Sequence, residues 1–105
     1  MTKLLVAVLA VTGIGLATAG SASADESGFI EAINAVGHYS TVYPNETVQV
    51  GYRVCSAFDR GGDAAAVQEV LKAYNRDDSA SREYYATLVA QSAAYNLCPR
   101  HRWEI

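Results

Sequence analysis

A single pair of cysteines, Cys55 and Cys98, sets the strongest limit on how this chain can fold. Both follow an N-terminal segment typical of export, and exported proteins meet an oxidising environment in which such pairs form disulfides. A catalytic thiol needs a positioned histidine and a zinc site needs four ligands, whereas the chain has only two histidines, His38 and His101. The sequence therefore favours one disulfide over a reactive thiol or a metal site.

The first 24 residues have the pattern of a cleavable signal peptide. Lys3 provides a short positive start, residues 4–16 form an apolar run, and the Ala-Ser-Ala motif at 22–24 matches a cleavage site. A membrane anchor needs about 20 continuous apolar residues, so this glycine-interrupted run is too short to be one. We expect export by a Sec-type signal, cleavage before Asp25, and a protein that is secreted or held in the cell envelope.

The composition after residue 24 predicts a small domain with few large aliphatic side chains. Residues 25–105 contain seven basic and eleven acidic side chains, which argues against nucleic acid or an anionic membrane as a partner. Leucine, isoleucine, valine and phenylalanine supply only 16 of these residues, alongside seven tyrosines and twelve alanines. We therefore expect tyrosine and alanine to complete the core and a disulfide to stabilise it.

The spacing of apolar residues predicts two helices in the first half of this domain. The first covers 27–36, with Gly37 as its C-cap. The segment 48–58 is ambiguous, because its residues alternate as in a half-buried strand and also form one apolar stripe at helical spacing. The stripe continues to the end of the segment and the Gly61-Gly62 pair then stops it, which favours a second helix.

Two further helices are predicted beyond the glycine pair. Asp63 caps a third helix that runs to Arg76, and a fourth follows over 80–97 after a polar turn. Pro99 ends the fourth helix. The buried side of that helix is expected to carry mostly large side chains: Tyr84, Tyr85, Leu88, Val89, Ser92 and Tyr95.

The predicted fold class is all-α, a compact bundle of about four short helices tied by one disulfide. Residues 25–99 form the helical domain, and the bridge between Cys55 and Cys98 joins the second helix to the end of the fourth. Residues 100–105 follow as a C-terminal tail. We expect a monomer without a transmembrane span once the signal peptide is removed.

The order of these features resembles that of a known family. After the signal peptide come Gly-Phe-Ile at 28–30, a Gly-His-Tyr loop at 37–39, Gly-Tyr-Arg-Val-Cys at 51–55, Gly-Gly at 61–62 and a final Cys-Pro at 98–99. In this combination the chain resembles the domain-of-unknown-function family 732 of small exported mycobacterial proteins. The resemblance implies a helical, disulfide-tied exported domain, and it implies no activity and no catalytic residues.

One loop carries side chains that could bind a ligand. His38 and Tyr39, with Tyr43 nearby, are residue types that ligate haem iron or another metal. The alternative is that His38 only follows the capping glycine while the two tyrosines cover the edge of the core. A core with few large aliphatic side chains can hardly enclose haem, so we expect no bound cofactor and no metal.

No set of residues in the sequence predicts catalysis. A Gly-x-Ser-x-Gly nucleophile elbow is absent. The acidic pairs at 25–26 and 77–78 lie at predicted helix starts, where carboxylates offset the helix dipole, so capping is favoured over acid–base chemistry. We therefore expect that the protein is not an enzyme, and a small hydrolase is the least favoured hypothesis.

The C-terminal tail combines several cations with the chain's only tryptophan. Arg100, Arg102 and Trp103 could bind an anionic surface or a partner that accepts an aromatic side chain. The alternative is a frayed end or a tryptophan packed back on the bundle. We expect a non-catalytic exported module that binds an unidentified protein or small molecule, with a small-ligand or haem carrier as the alternative.

Overall fold

The structure, a computed structural model, describes residues 24–105, so the predicted signal peptide lies outside the described residues except for Ala24. The helices, in chain order, are α1 (Glu26–Val36), α2 (Pro44–Ala73), α3 (Arg82–Asn96) and a 3-10 helix (Pro99–Glu104). Residues 24–105 contain no strand, so the ambiguous segment 48–58 is helical and the all-α fold class is confirmed. No helix in this part of the chain is long and apolar enough to span a bilayer.

Helix α2 consists of two segments that fold back on each other. Gly61 and Gly62 leave helical geometry and separate residues 44–60, here α2a, from residues 63–73, here α2b. Arg53 Nε in α2a lies 3.7 Å from Glu69 Oε2 in α2b, which places the two segments side by side. The predicted helix break is confirmed, and Gly62 has a φ of 73°, a conformation that favours glycine.

Helix α1 is capped at both ends by the residues that the sequence indicates. The Asp25 carboxylate accepts a hydrogen bond from Gly28 N at 2.8 Å. Gly37 adopts a left-handed conformation with a φ of 77°, and its N–H donates to Ile33 O. The backbone N–H of Asp25 also donates to Asn96 O at 2.6 Å, so the start of α1 is joined to the end of α3.

Helix α3 lies against α1, α2 and the 3-10 helix, and alanine dominates its buried face. The prediction of a tyrosine-lined buried side is wrong, because Tyr84 and Tyr95 are 63% and 54% exposed. Small side chains let neighbouring helices approach closely, while the phenol hydroxyls keep their contact with water. None of the seven tyrosines is buried. The buried residues of α3 are Ala86, Val89, Ala90, Ala93 and Ala94.

A close contact between helices occurs at Gly51 in α2a. A Cβ atom at this position would lie 2.8 Å from Phe29 Cε2 in α1 and would also collide with the Leu97 side chain that follows α3. Phe29 itself is fully buried. The absence of a side chain at Gly51 is therefore what allows α1, α2a and the end of α3 to meet.

The predicted disulfide joins Cys55 in α2a to Cys98 after α3. The two Cα atoms are 6.0 Å apart, within the usual range for a bridge. Both cysteines are buried, with 5% and 1% of their surface exposed. The cross-link thus lies inside the core and fixes α2a against the C-terminal end of α3.

Candidate functional site

The carboxylate of Asp77, in the loop between α2b and α3, joins two loops that are distant in sequence. Its Oδ2 accepts hydrogen bonds from His38 Nε2 at 2.9 Å and from Tyr39 OH at 3.1 Å. Its Oδ1 accepts one from Ser79 N at 3.1 Å. These bonds, led by that from His38 and followed by those from Ser79, hold the pKa of Asp77 well below its usual range. Asp77 is therefore ionised wherever the protein is folded at ordinary pH.

The expectation that the acidic pair 77–78 caps a helix is wrong. Helix α3 begins at Arg82 with Ser81 as its N-cap residue. The polar turn before α3 is longer than predicted, and Asp77 lies far enough upstream to reach the His38 loop instead. In the sequence, an acidic pair near a helix start is compatible both with capping that helix and with binding a distant loop. The two roles can be distinguished only when the three-dimensional positions of the segments are known.

Two ring stacks fix the side chains around Asp77. The ring of Tyr39 stacks on Tyr74 with centroids 4.1 Å apart, and that of His38 stacks on Tyr85 at 3.9 Å. Burial, reinforced by the hydrogen bond to Asp77, raises the pKa of the Tyr39 hydroxyl well above its usual range. Tyr39 therefore remains a hydrogen-bond donor, and its ring is fixed by both the stack on Tyr74 and the bond to Asp77.

The predicted ligand-binding residues lie along two adjoining clefts. The first, here the Asp77 cleft, has a volume of about 540 Å³ and is lined by His38, Tyr39 and residues 73–77. The second has a volume of about 500 Å³, includes Tyr43 and side chains of α2a, and shares Ala73 and Tyr74 with the first. The structure thus brings His38 and Tyr39 together and places Tyr43 in the neighbouring cleft, beyond Tyr74.

The donors of this site are already in use. His38 Nε2 and Tyr39 OH both bind Asp77, so ligation of haem iron by either atom would require that bond to break. Among residues 24–105, no group of three His, Cys, Asp or Glu side chains is arranged to hold a metal ion. In the same range, neither His38 nor His101 forms a hydrogen bond with a serine hydroxyl.

The tail residues form a helix that is anchored to α2a. The His101 ring stacks on Phe58 with centroids 5.1 Å apart, and its Nε2 lies 2.6 Å from Asp59 Oδ1. Its Nδ1 binds the Glu104 carboxylate on the opposite edge of the ring. Arg100 Nη2 donates to both oxygens of Asp59, at 3.1 and 3.0 Å. The C-terminal segment is therefore attached to α2a through two of its side chains, Arg100 and His101.

Near this anchored segment lie the exposed rings of Tyr95 and Trp103 and the half-buried Arg102, here together called the C-terminal surface. Trp103 is 86% exposed. The Arg102 guanidinium lies 5.5 Å above the centre of the Tyr95 ring, within range of a cation–π contact. Of the three predicted tail residues, Arg100 anchors the helix, Arg102 is half-buried beside Tyr95, and Trp103 is exposed.

The attachment of the tail is expected to weaken as the pH rises. An imidazole donates through both nitrogens only when it is protonated, and His101 has a carboxylate at each nitrogen. Burial lowers the pKa of His101, but the hydrogen bonds to Glu104 and Asp59 outweigh it, so the pKa is raised overall. The contribution of His101 to stability is therefore complete below about pH 6.5 and is lost as the pH rises through the folded-state pKa.

An NMR titration of the His101 ring should thus have its midpoint above about pH 6.5, the ordinary value for histidine. Because Asp59 is one of the two carboxylate partners, Asp59→Asn should lower that midpoint. Asp63→Asn provides the matched control, since Asp63 is exposed and its side chain bonds Ala64 N instead. A midpoint below the ordinary value in the unmodified protein would contradict the doubly bonded imidazolium.

Four site residues escaped the sequence reasoning: Tyr74, Arg76, Asp77 and Tyr85. The sequence pattern places Tyr85 on the buried side of a helix and Asp77 at a helix start, and it singles out neither Tyr74 nor Arg76 as a site residue. The clustering of aromatic side chains at the end of α2b and the start of α3, flanking an acidic turn, is the one signal in the sequence that could have indicated this site.

Residues 24–100 match the family model described as "Protein of unknown function (DUF732)". Neither a curated protein nor a solved structure matches the chain.

Proposed function

We propose that this chain, which belongs to the DUF732 family of proteins of unknown function, is an exported, non-catalytic module. In this proposal it binds a partner protein through its C-terminal surface. The observation that carries the proposal is the position of Trp103, 86% exposed on a helix that is itself fixed to α2a. A tryptophan brings a large apolar area to a contact, and tryptophan is enriched at interfaces.

The composition of the C-terminal surface supports a protein partner. Tryptophan, tyrosine and arginine are the residues most enriched among those that dominate binding energy at protein interfaces. The Arg102 guanidinium is already positioned by Tyr95, and the 3-10 helix is anchored through Asp59. Binding would therefore order few additional side chains, which reduces the entropic cost of association.

The proposed location outside the cytoplasm is supported by two independent features. The N-terminal pattern is that of a signal peptide, with a cleavage motif at 22–24. The bridge between Cys55 and Cys98 is of the kind that forms and persists in oxidising compartments. Export to the envelope or the medium accounts for both.

Quantitative affinity capture tests the proposal. The purified protein is used as bait in envelope extracts and culture medium, and captured proteins are quantified by mass spectrometry. We expect Trp103→Ala to reduce capture of the partner at least tenfold, because truncation of a central aromatic residue costs about 2 kcal/mol or more. Tyr84→Ala is the matched control, since Tyr84 is a comparably exposed aromatic residue on α3 outside the C-terminal surface.

A partner retained by Tyr84→Ala and lost by Trp103→Ala would then be purified and its affinity measured directly. Equal capture by all three proteins would contradict a role for Trp103. The circular dichroism of each variant shows whether the helical fold has been kept, so that a loss of capture is assigned to the surface and not to unfolding.

A second candidate function, a carrier of a small ligand, is favoured by the two clefts beside Tyr74. Their volumes of about 540 and 500 Å³ lie in the range of small-molecule sites. The rings that line them are held in place by stacking and by Asp77. Haem is the less favoured cargo, because His38 and Tyr39 would have to give up their bonds to Asp77.

A further inference from the structure

We propose that the Asp77 cleft binds a small aromatic carboxylate, with its ring against the tyrosines and its carboxylate on Arg76. This inference rests on the second candidate function, the small-ligand carrier, and names the chemistry of its ligand. It is independent of the partner surface, which lies around Trp103.

The walls of the cleft are suited to a flat, apolar ring. Tyr39 and Tyr74 are stacked at an interplanar angle of 16°, and His38 meets the Tyr39 ring edge-on at 78°. These contacts hold the rings in fixed positions, and the parts of Tyr39 and Tyr74 that line the cleft form an apolar wall for the ring of a ligand. The volume of about 540 Å³ accommodates a one- or two-ring ligand.

Because His38 and Tyr39 already donate to Asp77, the donors that the cleft can offer to a ligand lie on the other lining residues, among them Tyr74 and Arg76. Asp77, its only carboxylate, already accepts from His38, Tyr39 and Ser79, and so it is occupied by the protein itself. Burial, opposed by the nearby Arg53, raises the pKa of Tyr74, so its hydroxyl also remains a donor. A ligand that carries acceptor oxygens can therefore bind the Tyr74 hydroxyl in addition to Arg76.

Arg76 supplies the charge that selects an anion. It lines the cleft and is exposed, and within residues 24–105 it forms no ion pair. Its neighbour Asp78 is exposed and does not line the cleft. A guanidinium binds a carboxylate through two parallel hydrogen bonds, a geometry that an uncharged amide does not reproduce. Arg76 is thus the residue that would distinguish an acid from its amide.

Binding of 2-naphthoate and of 2-naphthamide to the ¹⁵N-labelled protein tests the proposal by two-dimensional NMR. The two probes have the same rings and nearly the same shape, and they differ in charge. We expect the naphthoate to shift the amide signals of residues 38–39 and 73–77, and the naphthamide to bind at least about tenfold more weakly. Arg76→Gln should weaken naphthoate binding by a similar factor.

Two further variants define how the result is read. Arg76→Lys keeps the positive charge but cannot form the two parallel hydrogen bonds of a guanidinium. It should therefore reduce the affinity for 2-naphthoate by less than Arg76→Gln does. Arg82→Gln, at an exposed arginine outside the cleft, should leave the affinity unchanged. Equal affinity for the two probes would overturn the carboxylate class while leaving a small-ligand cleft in place. Shifts at other residues only, or none, would overturn the site itself.

Discussion

Replacement of both cysteines, Cys55→Ala together with Cys98→Ala, is expected to lower the free energy of unfolding by about 4 kcal/mol on the chain-entropy estimate. The bridge closes a loop across a sequence separation of 43 residues, and without it the unfolded chain gains the freedom that the loop removes. Small domains are stable by only about 5 to 15 kcal/mol, so this loss is a large fraction of the total. Urea denaturation followed by circular dichroism measures it.

Reduction of the unmodified protein provides the comparison for this variant. Because both cysteines are buried, a reductant should act slowly on the native protein and faster as urea opens it. The fully reduced protein should then unfold at a urea concentration close to that of the double variant. A change of less than about 1 kcal/mol in either case would mean that the helical packing, and not the cross-link, supplies the stability.

The second large effect is expected at Gly51. Gly51→Val should lower the free energy of unfolding by about 3 kcal/mol or more, or prevent folding, because overpacking forces neighbours away from well-packed positions. The Cβ atom alone would meet the Phe29 ring at 2.8 and 2.9 Å and collide with the Leu97 side chain. Relief of these contacts would separate α2a from α1 and from the end of α3, where Cys98 is bridged.

Ser56→Val is the matched control for this substitution. Ser56 is exposed on the same helical segment, so a valine there introduces the same β-branched side chain without a core contact. Ser56→Val should change the free energy of unfolding by no more than a few tenths of a kcal/mol, as most surface substitutions do. If the two valine variants were equally stable, the close approach at Gly51 would have no energetic role.

Much of the helical framework could be predicted because its signals are local. The Asp25 cap, the Gly37 C-cap and the Gly61-Gly62 break each depend on a few neighbouring residues, and all three have the predicted roles. The disulfide was predictable for a different reason. The chain has only one cysteine pair, so no choice of connectivity arises.

The buried face of α3 could not be identified by the same reasoning. The helix carries one stripe of tyrosines and another of alanines, and hydrophobic periodicity gives more weight to the larger side chains. Which side chains of α3 are buried depends instead on how closely the neighbouring helices approach. That distance depends on residues of other helices, for example Gly51 in α2a. The buried face of α3 therefore carries alanines, and most of its larger side chains lie nearer the solvent.

The candidate site escaped prediction because its contacts are long-range. His38 meets Asp77 across a sequence separation of 39 residues, and His101 meets Asp59 across 42. Each pair depends on the helices that bring its two segments together. The sequence indicated the chemistry of His38, Tyr39 and the tail residues, but the carboxylates that hold them become evident only in three dimensions.

The hydrogen bond from Asp25 N to Asn96 O joins the start of α1 to the end of α3, so the predicted cleavage before Asp25 would act directly on a contact of the fold. Cleavage after Ala24 would turn that amide donor into a charged α-amino group at the carboxyl end of α3, where the helix dipole favours a cation by about 0.3 to 1 kcal/mol. The same reasoning applies to recombinant protein. A tag fused ahead of Asp25 would leave its backbone N as an uncharged amide, so the end of α3 would lack the positive charge of an α-amino group.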